Sequence, residues 1–330
     1  MKTVSFAAFG PPHEVTACVD APDPGPPDAG EIVVEVEAFP INPVDLLTIE
    51  GRYAVRPPLP AIPGSECVGR VAAVGAGVAR LKSGDRVLPL GRGNWTQRMK
   101  IPADAALKLP DGGDALQLAM LKINPATAYC LLKRQVALAP GDWLIQDAAN
   151  SGVGSLLVRL ARAEGVRTVN VVRREALIAP LAALGADVVL TDGADLPARV
   201  AEATGGADIR LAVDAVAGET CGRLAACLGE GGTVVNYGLL SGRPCAIEPH
   251  HIVFRGITLT GFWLMTALGA MDGDERARLY VDLADRIVSG ALAVTVEATY
   301  GIEDIGAALE HAAREGRSGK VLVTPNGPVS

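Results

Sequence analysis

Residues 141–174 read GDWLIQDAANSGVGSLLVRLARAEGVRTVNVVRR and contain the clearest order of predicted elements in the chain. An apolar run from Trp143 to Ala148 predicts a β-strand, which ends in a turn of small residues at 150–154. Leucines at helical spacing follow the turn. A second apolar run then ends at Arg173 and Arg174. The stretch therefore predicts a strand, a tight turn, a helix and a second strand.

This order of elements is typical of dinucleotide-binding sites, in which backbone N–H groups at a helix N-terminus hold a pyrophosphate. The predicted phosphate contacts are Asn150, Ser151, Gly152 and Val153. An acidic residue after the second strand would favour NAD, whereas an arginine suits the 2′-phosphate of NADP. Because Arg173 and Arg174 stand at this point, the sequence predicts that NADP(H) is the cofactor.

Composition narrows the possible functions of the 330-residue chain. Apolar residues make up 49% and charged residues 20% of it, as expected for a well-buried α/β protein. The net charge of −7 gives no electrostatic basis for binding nucleic acids or membrane surfaces. No run approaches the roughly 18 apolar residues of a membrane span, and the N-terminus has no signal-like pattern. We therefore expect a cytoplasmic protein.

Two regions differ in pattern. The first ~120 residues combine short alternating strand patterns with dense proline and glycine punctuation, which predicts a β-rich domain. From about residue 123, apolar strands alternate with amphipathic helices, which predicts a doubly wound parallel sheet. The tail is expected to return to the first domain. The predicted domains are 1–122 with 268–330, and 123–267, and the predicted parallel strands are 143–148, 167–172, 187–190, 210–215, 232–237 and 257–263.

With these elements in order, the chain resembles the medium-chain dehydrogenase/reductase superfamily over nearly its full length. Within it, the chain is most similar to the zinc-independent 2-enoyl thioester reductases of the mitochondrial type. This resemblance implies a GroES-like β-rich catalytic domain beside a Rossmann cofactor domain. The motifs that carry it are INPVD (41–45), GRY (51–53), LPAIPGSE (59–66), LKSGD (81–85), INPATAY (123–129), NSGVG (150–154), NVVR (170–173), GGT (231–233), YG (237–238) and GFWL (261–264).

Zinc-dependent members of the superfamily carry a Cys near the NPVD position and a His in a G-H-E motif. Here the corresponding stretches are Asn42–Asp45 and Gly64–Glu66, which lack both the thiol and the imidazole. Residues 84–110 contain no cysteine, so the four-cysteine structural zinc lobe is missing as well. The six cysteines of the chain are scattered without a C-x-x-C pair. The sequence predicts that neither zinc site is present.

Reduction of an enoyl thioester, the reaction that the resemblance implies, needs a proton donor other than a zinc-bound group. The resemblance implies that Tyr53 is this general acid. In these reductases, hydride passes from NADPH to the β-carbon of the enoyl thioester and a tyrosine protonates the α-carbon. The structural alternative for Tyr53 is an ordered turn before a proline run. The carrier, coenzyme A or acyl carrier protein, stays open.

The resemblance also assigns the remaining site residues. Asn42 and Trp263 are expected to line the substrate cleft, Trp263 having the alternative of a core aromatic at a domain junction. A homodimer joined edge to edge through the cofactor-domain sheets is implied too. The expected further cofactor contacts are Asn124, Tyr237, Gly238, Phe262, Trp263, Leu264 and Lys320.

Two other functions compete with an NADPH-dependent enoyl thioester reductase of fatty acid metabolism. An NADPH:quinone oxidoreductase of the same superfamily needs the cofactor site but not Tyr53. Its turn is usually richer in glycine than Ala149–Gly152, which favours the thioester reductase. A non-enzymatic NADPH-binding protein would bind the cofactor without turning over any electrophile.

Overall fold

The computed structural model describes residues 1–329. This part of the chain contains the strands β1 (Lys2–Phe6), β2 (Thr16–Asp20), β3 (Glu31–Pro40), β4 (Val68–Val74), β5 (Arg86–Pro89), β6 (Arg98–Pro102), β7 (Ala106–Lys108), β8 (Trp143–Gln146), β9 (Arg167–Val172), β10 (Val188–Thr191), β11 (Ile209–Asp214), β12 (Thr233–Asn236), β13 (Thr258–Gly261), β14 (Val296–Tyr300) and β15 (Lys320–Val323). Its α-helices are α1 (Pro12–Val15), α2 (Pro43–Ile49), α3 (Ala115–Ala119), α4 (Asn124–Arg134), α5 (Gly152–Ala163), α6 (Ile178–Leu184), α7 (Leu196–Thr204), α8 (Gly218–Cys227), α9 (Pro249–Arg255), α10 (Leu264–Gly269), α11 (Gly273–Val288) and α12 (Ile305–Ala313). None of the helices in the described residues has both the length and the apolar character to cross a membrane.

The chain forms two compact units, one of Asn124–Arg276 and one of Met1–Ile123 together with the chain from Ala277. The sequence predicted that the chain returns to the first domain at 267/268. In the structure, the boundary between the two units lies inside α11, between Arg276 and Ala277. Because the helix is uninterrupted at this point, the sequence has no proline or turn signal there that would mark the boundary between the units.

The unit of Asn124–Arg276 is built on a six-stranded sheet in the order β10-β9-β8-β11-β12-β13, with every neighbouring pair parallel. All four residues of β8 are buried. Because successive strand residues point to opposite faces, β8 is covered on both sides, as in doubly wound sheets. The predicted α/β fold is confirmed. Strand order reverses between β8 and β11, and ligands of such sheets bind beyond the carboxyl ends of the strands there.

The other unit is β-rich, as predicted. Strand β3 pairs antiparallel with β4, β6 and β15, and β14 joins β15 in parallel. The pattern of β3, EIVVEVEAFP, buries most of its apolar residues. Its core includes Phe39 stacked on Trp95, with ring centroids 5.4 Å apart. This scaffold holds α2 and the loop after it, where Asn42 and Tyr53 lie.

Candidate functional site

The turn between β8 and α5 is shaped by close backbone packing. Ser151 caps α5, because its Oγ accepts the Gly154 N–H at 3.1 Å. A Cβ on Gly154 would lie 2.6 Å from the carbonyl oxygen of Ala149, so only glycine fits. Ala148 has a positive φ of 43°, which is unusual for alanine. The first N–H groups of α5, those of Gly152 and Val153, have no intrahelical acceptor and suit an anion.

Two arginines follow the neighbouring strand. Val171 and Val172 end β9 in the core, and Arg173 and Arg174 are the first exposed residues after it. Asn150 is exposed in the preceding turn. The glycine-restricted turn and the basic strand end, both in one unit, fit a dinucleotide that carries an additional phosphate.

Two carboxyl groups meet at the carboxyl ends of β8 and β11. Asp147 Oδ1 accepts the Ala215 N–H at 2.7 Å, and Asp214 Oδ1 accepts the N–H groups of Val216 and Ala217 at 3.0 and 2.8 Å. Both side chains are buried, and Asp147 Oδ2 has no hydrogen-bond donor among the described residues. Burial and the adjacent Asp214 carboxyl raise the pKa of Asp147 well above its usual range. A proton on Asp147, which the raised pKa favours, would be shared with the Asp214 carboxyl group.

The loop after β12 approaches the same strand end. The Tyr237 N–H donates to the Asp214 carbonyl at 2.8 Å. A Cβ on Gly238 would lie 2.5 Å from the Ala215 oxygen, so glycine is required for this approach. Burial, with the nearby Asp147, raises the pKa of the Tyr237 phenol. The loop after β12 is thus fixed to the loop after β11.

The segment after β13 differs from its predicted form. The predicted strand 257–263 is shorter, β13 ending at Gly261, because Trp263 is already the N-cap of α10. Trp263 is 42% exposed, so it is not the core aromatic of the structural alternative. Phe262 is half-buried, its N–H donating to the Asn236 carbonyl at 2.8 Å, and Leu264 is buried. Asn124, also in this unit, is a buried first residue of α4.

In the β-rich unit, Asn42 lies at the centre of a buried polar network. Its Nδ2 donates to Glu66 Oε1 at 2.7 Å, and its Oδ1 accepts the ammonium of Lys320. Glu66 Oε2 accepts the Ile123 N–H at 2.9 Å, and Lys122 donates to the carbonyl oxygen of Ser65. Lysines are usually solvated at the surface, but Lys320 is buried.

The network contains two carboxyl groups and two ammonium groups. Burial raises the pKa of Asp45 to about 6, and it raises the pKa of Glu66 while Asn42 and Ile123 act in the opposite direction. Burial lowers the pKa values of Lys122 and Lys320, although the nearby Glu66 favours their charged forms. Each buried charge is thus compensated by a hydrogen bond or an opposite charge.

Tyr53 lies in the loop after α2 and is half-buried. Its N–H donates to the Leu47 carbonyl at 3.0 Å, which ties the loop to the helix. The guanidinium of Arg92 lies over its ring, 5.3 Å from the centroid. Tyr53 is therefore an ordered residue whose ring carries a cation on one face.

The structure thus joins Asn42 to Lys320 within one unit, and it places the predicted residues at 150–153, 173–174 and 237–238 at or just beyond strand ends of the other. Sequence reasoning missed Asp147, Lys122 and Arg92. A polar residue directly after the apolar run of β8 was the available signal for Asp147. No sequence signal pairs Arg92 with Tyr53, because the contact joins two loops.

Family comparisons agree with these two units. Residues 28–111 match the alcohol dehydrogenase GroES-like domain, and residues 152–283 match the zinc-binding dehydrogenase family. The mitochondrial enoyl-[acyl-carrier-protein] reductase of Rattus norvegicus is 33% identical over 352 residues, covering 98% of this chain and 92% of that protein. The chain belongs to the medium-chain dehydrogenase/reductase superfamily. The expected GroES-like and Rossmann-type architecture of this oxidoreductase is confirmed.

Solved structures similar to this medium-chain reductase include both candidate activities. The complex of Etr1p with NADP and crotonyl-CoA has a TM-score of 0.88 at 25% identity and covers 98% of this chain and 99% of that one. The Etr1p/Etr2p heterodimer of the mitochondrial 2-enoyl thioester reductase from Candida tropicalis has a TM-score of 0.85 at 26% identity with the same coverage. A quinone oxidoreductase of Pseudomonas syringae pv. tomato DC3000 has a TM-score of 0.87 at 28% identity, again covering 98% and 99%.

The Asp147–Asp214 pair predicts a pH effect on stability. Because the native pKa of Asp147 is raised, its contribution to stability is present at acid pH and is lost as pH rises from 3.8 towards the native value. Asp147→Asn keeps an acceptor for Ala215 and a donor for Asp214 at every pH. We expect its free energy of unfolding, relative to wild type, to increase with pH above about pH 4, by up to about 1.4 kcal/mol per pH unit, until the pH passes the native pKa of Asp147. Urea unfolding measures this difference.

Asp192→Asn is the matched control. Asp192 is partly buried, but its hydrogen bonds and ion pair with Arg223 lower its pKa in spite of that burial. Its contribution is therefore constant above about pH 5, and the variant should be less stable by a fixed amount. A fixed difference between Asp147→Asn and wild type over the same range would contradict the shared proton.

Proposed function

We propose that this enzyme reduces the C2=C3 double bond of a trans-2-enoyl thioester with NADPH. The observation that carries the proposal is the 33% identity to a mitochondrial enoyl-[acyl-carrier-protein] reductase over 98% of the chain. The similarity to Etr1p, whose complex contains NADP and crotonyl-CoA, supports the same chemistry. Each named relative is an oxidoreductase, so the non-enzymatic alternative has no support here.

The cofactor is held by the parallel-sheet unit. The N–H groups of Gly152 and Val153 bind the pyrophosphate, and Arg173 and Arg174 bind the 2′-phosphate. When bound, NADPH supplies a hydride to the β-carbon of the substrate. Lys320, whose ammonium donates to Asn42 within the β-rich unit, is a further proposed cofactor contact. The other proposed contacts are Asn124, Asn150, Ser151, Tyr237, Gly238, Phe262, Trp263 and Leu264.

Tyr53 is the proton donor to the α-carbon. A phenol carries a hydroxyl proton that it can donate, as a general acid requires. The hydrogen bond from its N–H to the Leu47 carbonyl ties its loop to α2 and supports a fixed position of the residue. Asn42 and Trp263 are each proposed to contact the acyl group, and this part of the proposal rests on the resemblance to the enoyl thioester reductases.

Zinc takes no part in the proposed reaction. At the position where zinc-dependent relatives carry a thiolate, Asn42 engages Glu66 and Lys320. Both Glu66 oxygens already accept hydrogen bonds. An amide, a serine and an ammonium are poor zinc ligands, and a buried ammonium disfavours a second cation.

The second candidate is an NADPH:quinone oxidoreductase, favoured by the similarity to the Pseudomonas syringae enzyme. That activity requires the cofactor residues but not Tyr53. The two candidates therefore share Arg173 and the turn before α5, and they differ in the electrophile that receives the hydride.

Association of two copies of the chain is also proposed. Strand β13 is at the edge of its sheet and all four of its residues are exposed. Leu259 on it and Val253 and Phe254 on α9 are exposed apolar residues, Phe254 at 76%. An exposed edge strand beside exposed apolar side chains is a site for pairing with another sheet. The heterodimer of the Candida tropicalis reductases supports an assembly of this kind.

NADPH oxidation distinguishes the two activities. We expect turnover with crotonyl-CoA and NADPH, a much lower rate with NADH, and little turnover with quinones. Arg173→Gln should raise the KM for NADPH about tenfold or more and leave that for NADH nearly unchanged, because only NADPH carries the 2′-phosphate. Absorbance at the nicotinamide band measures each rate.

Turnover with quinones but with no enoyl thioester would overturn the proposed function and favour the second candidate. Equal effects of Arg173→Gln on both cofactors would contradict the assignment of the 2′-phosphate site while leaving the electrophile undecided.

For the assembly, light scattering should give twice the chain mass of 34.0 kDa. Phe254→Glu should shift the protein towards the monomer, because a charge would be buried in the interface. Val281→Glu, another exposed apolar residue on a helix, is the control and should leave the mass unchanged. A wild-type monomer at micromolar concentration would contradict the dimer.

A further inference from the structure

Two exposed arginines of the β-rich unit belong to the Tyr53 loop or contact it. Arg92 belongs to the loop before Trp95, and its guanidinium carbon is 5.3 Å from the Tyr53 ring centroid. Arg56 lies three residues after Tyr53, with its guanidinium carbon 4.8 Å from the Phe9 ring centroid. We refer to Arg56 and Arg92 as the arginine pair. Each guanidinium is thus oriented by an aromatic ring.

The Arg56 side chain folds back towards the start of the Tyr53 loop. A Cβ added to Gly51 would lie 2.8 Å from a guanidinium nitrogen of Arg56 and 2.9 Å from the Phe9 ring. Gly51 also has a positive φ of 72°, so glycine is doubly favoured here. The backbone leading to Tyr53 therefore accommodates this arginine.

No carboxylate neutralises the arginine pair. Among residues 1–329, neither guanidinium has an Asp or Glu oxygen within ion-pair distance, whereas Arg52 in the same loop is paired with Glu50 at 2.9 Å. Arg86, by contrast, binds Glu37 through two nitrogens. Arg92 is in electrostatic range of two buried groups, the carboxyl group of Asp45 and the ammonium group of Lys122, whose charges are opposite to each other. Local charge beside Tyr53 is positive in a chain of net charge −7.

The chemistry of guanidinium groups indicates the ligand. A guanidinium stacked on a ring keeps its N–H edge for acceptors, and its fork matches two oxygens of a phosphate. Two such groups on separate loops suit a ligand with more than one phosphate. Coenzyme A carries a pyrophosphate and a 3′-phosphate, whereas the phosphopantetheine of a carrier protein has a single phosphodiester.

We propose that Arg56 and Arg92 bind the phosphate groups of coenzyme A, so that the substrate is an enoyl-CoA delivered beside Tyr53. This inference rests on the proposed enoyl reduction and names the carrier that the sequence left open. Arg56 and Arg92 determine the specificity for the carrier and take no part in the transfer of hydride or proton.

Steady-state kinetics with two thioesters tests the pair. Crotonyl-CoA carries the phosphates, and the crotonyl thioester of N-acetylcysteamine has none. Arg56→Gln and Arg92→Gln should each raise the KM for crotonyl-CoA about tenfold and leave kcat/KM for the N-acetylcysteamine thioester unchanged. Arg52→Gln, which removes an arginine already paired with Glu50, is the matched control and should change neither. Added salt should weaken crotonyl-CoA binding in wild type more than in the double variant.

Equal losses with both thioesters would assign the pair a structural role and overturn the proposal, as would no loss with either. Losses confined to a crotonyl thioester on acyl carrier protein would favour the protein carrier instead. If wild type turned over neither thioester, the proposed function would fail. Calorimetric binding of free coenzyme A, with NADP⁺ saturating, would then test the inference by itself. We expect wild type to bind coenzyme A and the Arg56→Gln/Arg92→Gln variant to lose at least tenfold in affinity. Equal affinities, or no binding to wild type, would overturn the proposal.

Discussion

Gly154 has no room for a side chain, since a Cβ there would lie 2.6 Å from the Ala149 oxygen. This close approach sets the path of the turn from β8 to α5, and with it the direction of the helix N-terminus. The same turn begins at Asp147, whose carboxyl group meets Asp214 at the end of β11. The Asp147–Asp214 pair thus lies at the ends of the two strands between which the sheet order reverses. The phosphate site of the proposed cofactor depends on both features.

The β-rich unit contains buried charged side chains that need polar partners. Glu66, Lys122 and Lys320 are buried there, and removing ions from water costs several kcal/mol each unless partners compensate. Asn42 compensates two of these ions by donating to Glu66 and accepting from Lys320, and Lys122 donates to the Ser65 carbonyl. A buried ion network adds little to the free energy of folding, and its main effect is to favour one conformation of the surrounding chain. Here the arrangement fixes the start of α2, the helix that holds Tyr53 through the carbonyl of Leu47.

Much of the fold could be predicted from the sequence, because strand runs and helical spacing are local patterns. β9 was predicted with its bounds, and the parallel sheet was predicted as a whole. The end of β13 was not, because Phe262 and Trp263 extend its apolar run while the backbone already turns into α10. The burial of Lys320, the pairing of Asp147 with Asp214 and the contact of Arg92 with Tyr53 depend on residues far apart in the chain, so no local pattern indicates them.

In the proposed reaction, the Tyr53 phenol delivers the proton that completes reduction of the double bond. Tyr53→Phe keeps the ring under Arg92 and removes only the hydroxyl group. Loss of a general acid lowers the rate by about 10²–10⁴-fold. The most direct measurement is therefore kcat/KM of Tyr53→Phe with crotonyl-CoA, beside its dissociation constant for NADPH. We expect a rate loss of that order with unchanged NADPH binding; full activity of the variant would contradict the account.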